Sequence, residues 1–271
     1  MDSIDLARSL LFVPGNRPER FAKAAASGAH LIVLDLEDAV SPDDKGVARD
    51  AISTWLTAGN PGITRINAAE TLWYATDLAM LAALPQAAVM LPKADATSVT
   101  RTVAALPGCP LIALVETVKG YRELTQVAGI PGVVRIAFGS VDFGTETGIA
   151  DIGEAMTAIR TRIVLESCFA GLAAPIDGVS VSIDDHDTIL HDATRSRQFG
   201  FGGKLCIHPR QVPVVNAAFR PSADEIDWAR RVLAATEASK GSATTVDGKM
   251  IDKPVVDKAR RVLSEMGIAI H

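Results

Sequence analysis

Eight short apolar runs, each trailed by a connector long enough for a helix, predict a closed (β/α)₈ TIM barrel with a short C-terminal helical arm or lid. Two further observations point the same way. Polar and charged residues gather where the runs end, and the alternation of run and connector stops after Pro209. The runs are Leu10–Val13, Leu31–Leu36, Ile63–Ile66, Ala88–Leu91, Leu111–Val115, Val133–Phe138, Gly178–Ile183 and Leu205–Ile207. They are rich in Val, Ile, Leu and Ala and bounded by Gly or polar residues, as strands buried on both faces are. Eight βα units in roughly 210 residues suit the barrel. An open doubly wound sheet is the competing architecture, but LFVPGNRPER stands where its first-turn GxGxxG belongs.

The connectors carry helix signals. Pro18-Glu19-Arg20 opens a run with Phe21, Ala24 and Ala25 on one face. Ser41-Pro42-Asp43-Asp44 reads as an N-terminal cap ahead of Val47, Ala51, Ile52 and Trp55. Beyond the barrel, Ser222–Ala238 reads as an amphipathic helix with Ile226, Ala229, Val232 and Leu233 inward. Lys240–Lys249 reads as a turn or short hairpin, and Val255–Met266 as a last helix. The organisation expected is thus a barrel over residues 1–220 and a helical extension over 221–271. About 50 residues are too few for a second large domain. They suit an arm closing over the barrel mouth or onto a neighbouring subunit.

Composition narrows the function. The chain has 271 residues, 48% hydrophobic and 22% charged, enough to bury a sizeable core. A net charge of −5 argues against a nucleic-acid partner. No apolar stretch reaches the ~18 to 20 residues of a membrane span. The N-terminal run is short and broken by Pro14, unlike a signal peptide. Cys109, Cys168 and Cys206 lack disulfide or zinc spacing and read as reduced buried thiols, so a cytoplasmic protein is expected.

The chemistry centres on Leu111–Gly148. Two neighbouring runs each end in a carboxylate, Glu116 and Asp142. On a parallel barrel both emerge at the carboxyl edge, where two oxygen ligands with room for water and substrate suit Mg²⁺. The plainer reading, a pair of helix N-caps, has equal weight. Arg65 ends an apolar strand and needs an anion there: Glu37 or Asp38, a substrate carboxylate or developing enolate, or both. Asp35, Glu37 and Asp38 crowd the end of the second run, which marks a polar site, with Glu37 and Asp38 read as outer-sphere partners. Lys93 reads as a rim cation serving charge balance, or as a Schiff-base lysine. Arg17, Arg20 and Lys23 after the first run could bind phosphates or simply be a solvated helix face. His208 follows the eighth run with no second His at metal spacing. Asp252 either caps the last helix or is an acid carried to the site by the lid.

These residues fall into a familiar order. RSLLFVPGNRPERF, VLDLEDAV, RINA, MLPKAD, ALVET, FGSVDFGTETG, GFGGKLCIHPRQV and GKMIDKP resemble the citrate lyase beta-subunit-like group of the acyl-CoA lyases, which includes malyl-CoA, citramalyl-CoA and citryl-CoA lyases. The resemblance runs over about residues 8 to 262, and the combination of motifs is what carries it. It implies a (β/α)₈ barrel, usually trimeric, that binds Mg²⁺ through the Glu of ALVET and the Asp of GSVDF, here Glu116 and Asp142. It implies substrate contact by Arg65, an acid or base role for Asp252 in a neighbouring subunit's site, and coenzyme A near Arg17, Arg20, Lys23 and His208. It does not separate the members by substrate.

The function so expected is a Mg²⁺-dependent carbon–carbon lyase cleaving or forming a 3-hydroxy-3-carboxyacyl-CoA, with acetyl-CoA and a 2-oxoacid as products, in a homotrimer or dimer of trimers. Three alternatives remain at this point. One is a Schiff-base aldolase using Lys93 or Lys204. Another is a metal-dependent 2-oxoacid aldolase that does not use coenzyme A. The third is a non-catalytic acyl-CoA-binding subunit of a lyase complex.

Overall fold

The computed structural model describes residues 4–84, 87–239 and 244–264. The chain divides into two compact units, Met1–Asn216 and Ala217–His271.

The first unit is a closed barrel of eight parallel strands: β1 (Ser9–Pro14), β2 (Leu31–Asp35), β3 (Ile63–Arg65), β4 (Val89–Leu91), β5 (Leu111–Val115), β6 (Val133–Phe138), β7 (Ile176–Asp177) and β8 (Gly203–Cys206). Closure is made by β1 on β8, with Leu10 beside Leu205. Helices lie between successive strands; Lys45–Thr57, for example, buries Ala48 and Ile52. Seven strands fall on the apolar runs within a residue or two. The seventh does not. The strand is Ile176–Asp177, and Gly178–Ile183 is the loop after it, with Val181 74% and Ile183 41% exposed. Gly178 cannot bear a side chain, because a Cβ there would collide with Ser140. The face expected on Lys45–Thr57 also differs: Val47 is exposed and Lys45 is buried in its stead, and Ser41 makes no side-chain cap.

The barrel interior is a layered apolar core of Leu10, Leu31, Val33, Ile63, Met90, Ile112, Leu114, Ala137, Ile176 and Leu205. Its members recur at every second position, as side chains of a strand must. That alternation places the site. Continue the inward row one step past Val33, Ile63, Leu114 and Ala137, and one reaches Asp35, Arg65, Glu116 and Gly139.

At the opposite end of the barrel the core contains Arg135, a β6 residue with no solvent exposure. Its Nε donates to the Ala174 carbonyl and its Nη1 to the carbonyls of Ile4 and Ala7, each at 2.8 Å. Nη2 has no hydrogen-bond partner. A buried guanidinium held by neutral carbonyls ties the segment before β1 to β6 and to the loop entering β7.

The second unit packs the helix Ala223–Ala238 and the helix Lys253–Ser264 around Ala229, Val232, Ile251, Val256, Ala259, Val262 and Leu263. Ser222 and Glu225 form a reciprocal capping box at the first helix. An antiparallel hairpin, β9 (Thr244–Val246) with β10 (Lys249–Ile251), links them. The portion of the expected turn before Thr244, and the end of the last helix beyond Ser264, lie outside the described residues. Among the described residues no helix is long and apolar enough to cross a membrane.

Candidate active site

Polar side chains from β2, β3, β5 and the turns after β4 and β6 converge at the carboxyl edge of the barrel. Asp35 ends β2 and is 1% exposed. It takes both ends of a fork from Arg65, Nε to Oδ1 at 2.6 Å and Nη2 to Oδ2 at 2.7 Å. It also accepts the N–H groups of Glu37 and Ala39, so one carboxylate shapes the turn after β2 and aims the arginine. Arg65 Nη1 lies 3.0 Å from Glu37 Oε2, an ion-pair distance, though off the line of a hydrogen bond. The Phe12 ring lies 4.6 Å from the guanidinium carbon. Burial pulls the guanidinium's pKa down, but the Asp35 bond and charge outweigh it and hold the group protonated. Asp35 occupies the Nε edge, which leaves N–H groups on the far side to meet a substrate anion.

Glu116 follows β5 and is 2% exposed. Its Oε1 accepts the Lys93 N–H at 2.8 Å. Its other oxygen rests against Gly139, where a Cβ would come within 2.5 Å of Oε2. Burial, then the charge of Glu37, then that of Asp142, push the Glu116 carboxyl up to about 8. Asp142 sits in the first turn of the helix Ser140–Thr147, half-buried, and accepts no hydrogen bond among the described residues. The Glu37 carboxyl is also raised, by burial first, against the lowering charges of Arg65 and Lys93.

The donor set fits a divalent cation. Asp35 and Glu37 are paired with Arg65 and Lys93, whereas among the described residues no salt bridge reaches Glu116 or Asp142. The oxygens of these two carboxylates are taken by no side-chain donor among the described residues. Among the described residues no group of three or more His, Cys, Asp or Glu is placed to hold a metal. Mg²⁺ is commonly held by one or two carboxylates, with water and substrate oxygens completing the shell.

The other candidate residues are placed as follows. Asp38 is exposed and takes no part in the fork; the acid that does is Asp35. Arg17 bonds Glu19 at 2.6 Å, Arg20 lies 3.9 Å from the same carboxylate, and Lys23 is exposed. All three follow β1. His208 follows β8, the neighbouring strand, and its Nδ1 accepts the Arg210 N–H at 3.2 Å. Asp252 is exposed in the second unit, where its Oδ1 accepts the Val255 N–H at 3.2 Å as an N-cap. Neither lysine is set up for Schiff-base chemistry. Lys93 Nζ donates to Glu37 Oε1 at 2.6 Å; burial lowers its pKa, but that bond more than restores it, so the amine stays protonated. Lys204 alternates with the core residue Leu205 and so faces the helices rather than the barrel interior. Of the thiols, Cys206 is buried, Cys109 half-buried and Cys168 exposed, against the expectation that all three are buried.

Sequence reasoning overlooked Lys45. It is 4% exposed, and its ammonium donates to the carbonyls of Leu36 (2.5 Å) and Glu37 (2.8 Å) and to Asn67 Oδ1 (2.7 Å). Asn67 is held in turn by Asp77, and Asp77 by Arg49. This chain of bonds fixes the turn that presents Glu37.

Known proteins share this architecture. The HpcH/HpaI aldolase/citrate lyase family matches residues 8–209. A citrate lyase subunit beta-like protein of Mycobacterium tuberculosis is 38% identical, covering 96% of this chain and 95% of its own. A (3S)-malyl-CoA thioesterase of Cereibacter sphaeroides is 33% identical, covering 95% of this chain and 94% of its own. A solved structure of protein CitE from Mycobacterium tuberculosis, in complex with magnesium, acetoacetate and coenzyme A, superposes with a TM-score of 0.84 at 35% identity, covering 97% of this chain and all of the other. An eight-stranded barrel with an acid–arginine site at its carboxyl edge, matched over nearly its whole length by such relatives, is a member of the HpcH/HpaI aldolase/citrate lyase family.

Proposed function

We propose that the chain is a Mg²⁺-dependent carbon–carbon lyase acting on a 3-hydroxy-3-carboxyacyl-CoA, such as citryl-, malyl- or citramalyl-CoA. The observation that carries this reading is the pair Glu116, just after β5, and Asp142, in the first turn of the helix after the adjoining β6, at the same edge as an arginine already aimed by Asp35. Relatives support the ligand classes: CitE is known with magnesium, acetoacetate and coenzyme A, and with magnesium and pyruvate.

Glu116 and Asp142 hold the cation, which supplies Lewis acidity to the hydroxyl and carboxylate oxygens of the fragment to be cleaved. Arg65 turns its outer N–H groups to the substrate carboxylate and stabilises charge as the bond breaks. Its partners Asp35 and Glu37 fix it beforehand, so no reorganisation is needed at that moment. Once the hydroxyl has passed its proton to solvent water, the bond between the carbinol carbon and the acyl-CoA α-carbon opens and its electron pair moves onto the thioester as the enolate. A 2-oxoacid leaves, and the enolate of acetyl-CoA remains. Asp252 of a neighbouring copy then protonates the enolate carbon, or removes that proton in the condensing direction. Arg17, Arg20, Lys23 and His208, around β1 and β8, receive coenzyme A. The working form in this reading is a homotrimer, with the second unit serving as the arm that carries Asp252.

The test is to incubate the protein with Mg²⁺, acetyl-CoA and glyoxylate, pyruvate or oxaloacetate in turn, and to read the acyl-CoA mass formed. One matching adduct supports the lyase, while no adduct with any acid and no cleavage of the corresponding thioesters rejects it. A second reading, hydrolysis of the acyl-CoA thioester, is favoured by the malyl-CoA thioesterase relatives. It predicts free coenzyme A and an intact hydroxyacid.

A further inference from the structure

Lys93 is one of only two non-glycine residues with positive φ among the described residues, at +48°. That conformation is strained for a residue with a side chain and persists only where the surroundings dictate it. What dictates it here is contact at both ends of the residue. The Lys93 N–H bonds Glu116 Oε1, and the Lys93 ammonium bonds Glu37 Oε1. One residue thus grips two different carboxylates, and its own length ties Glu37 to Glu116. The site therefore contains a third acid within electrostatic reach of the metal pair. Its two oxygens are turned to Lys93 and Arg65.

We propose that Lys93 is a positioning residue that keeps Glu37 out of the metal's coordination shell, and so holds the centre at two carboxylates. This rests on the reading of Glu116 and Asp142 as metal ligands. The chemical reason is direct. A third carboxylate would take a coordination position that the substrate's hydroxyl or carboxylate needs. It would also neutralise the cation's remaining positive charge and dull its pull on the substrate oxygens. The left-handed backbone lets a single residue both present its N–H to Glu116 and send its ammonium across to Glu37. Arg65 holds the same acid from the other side, but it is itself committed to Asp35.

The reading makes an unusual demand: damaging Lys93 should tighten metal binding. Mn²⁺ is titrated into the metal-free full-length protein, with the free ion followed by its paramagnetic resonance signal. Lys93→Met is expected to bind Mn²⁺ at least ~10-fold more tightly than wild type, because Glu37 swings in as a ligand, while turnover falls. Lys93→Arg, which keeps the cation, stays within ~3-fold. In the Glu37→Gln background the Lys93→Met gain disappears, to within ~3-fold. Lys93→Gln is read in the same way should the methionine variant not fold. The wild-type protein gives an independent reading: Mn²⁺ line broadening in ¹⁷O-water should report about four bound waters, as expected for a six-coordinate ion with two protein ligands.

Weaker or unchanged binding by Lys93→Met overturns the proposal. So does a gain that survives Glu37→Gln, which would make Lys93 a mere nearby charge. A count of three waters or fewer in the wild type overturns it as well. Failure of the wild type to bind Mn²⁺ at all is a different result, and it removes the metal centre itself.

Discussion

Gly139→Ala is the smallest change that tests the geometry of the centre. Gly139 has φ −90° and ψ 76°, angles open to alanine, so the substitution brings no backbone strain and its effect is steric. The new methyl would lie 2.5 Å from Glu116 Oε2, and closer still to the Glu116 Cβ. Ordinary contact begins near 3.4 Å, so Glu116 must retreat by about 1 Å. It has no open direction, being 2% exposed and bonded to the Lys93 N–H. Overpacking of this kind costs about 1–3 kcal/mol. The functional cost is larger, since a misplacement of ~1 Å in a catalytic constellation is worth ~10²-fold. The variant should therefore fold, with a midpoint in urea somewhat lower than wild type. It should lose ~10²-fold in kcat and need much more Mg²⁺ for half-saturation. Gly46→Ala is the control. Gly46 lies on an exposed helix position with nothing within 4 Å of a new Cβ, so stability should rise by about 0.5–1 kcal/mol with activity unchanged. If Gly139→Ala shows wild-type kcat and metal response, Glu116 is not held as described, and the argument from its placement fails.

Other expectations follow from the same site. Asp35→Asn leaves the Arg65 guanidinium without its charged partner in a buried setting. It should cost about 3 kcal/mol in urea unfolding and ~10²-fold or more in kcat; a loss below 1 kcal/mol would contradict the fork. Arg65→Ala should lower kcat ~10²- to 10³-fold with the barrel's circular dichroism intact. EDTA should abolish turnover, Mg²⁺ or Mn²⁺ should restore it, and borohydride with a 2-oxoacid should trap no adduct on Lys93 or Lys204; a trapped adduct would revive Schiff-base chemistry. Burial pushes the Cys206 thiol up to about 12 and the Cys109 thiol up to about 11. Iodoacetamide at pH 8.5 should therefore label Cys168 alone in the folded protein and all three thiols in urea. The linked effect on stability has a fixed sign. Below about pH 8.5 both states keep these protons, but above it the unfolded thiols ionise first, so the pair erodes stability as pH climbs toward 11.

The sequence announced the barrel through its apolar runs, and it offered Glu116 and Asp142 as the pair on which the proposed function rests. Period-two alternation carried more than was read from it. In VLDLED the inward row is Val33, Asp35, Glu37, so Asp35 and Glu37 share the site while Asp38 faces out. That signal would have found the Arg65 partner. The same alternation misled at Val179, Val181 and Ile183, which look like a strand but line the rim after one of only two residues. The left-handed turn at Lys93 was not legible, because lysine carries no preference for it and its two carboxylate partners are brought to it only by the fold. Lys45 was hidden for a related reason. A lysine on a helix is normally solvated, and its burial depends on three oxygens that the chain assembles only when folded. Nor does the run VVRIAF reveal that its arginine points into the core.

That arginine has a consequence for how the molecule comes together. Its acceptors at Ile4 and Ala7 lie 131 and 128 positions away along the chain, and the one at Ala174 lies 39 positions further on. A guanidinium enters an apolar interior only when such oxygens are already waiting, so the floor of the barrel cannot seal piecemeal. Until the opening segment has docked, β6 carries a charge that must stay wet. Closing that floor therefore draws on contacts of very long sequence separation, which are the slow ones for a chain to find.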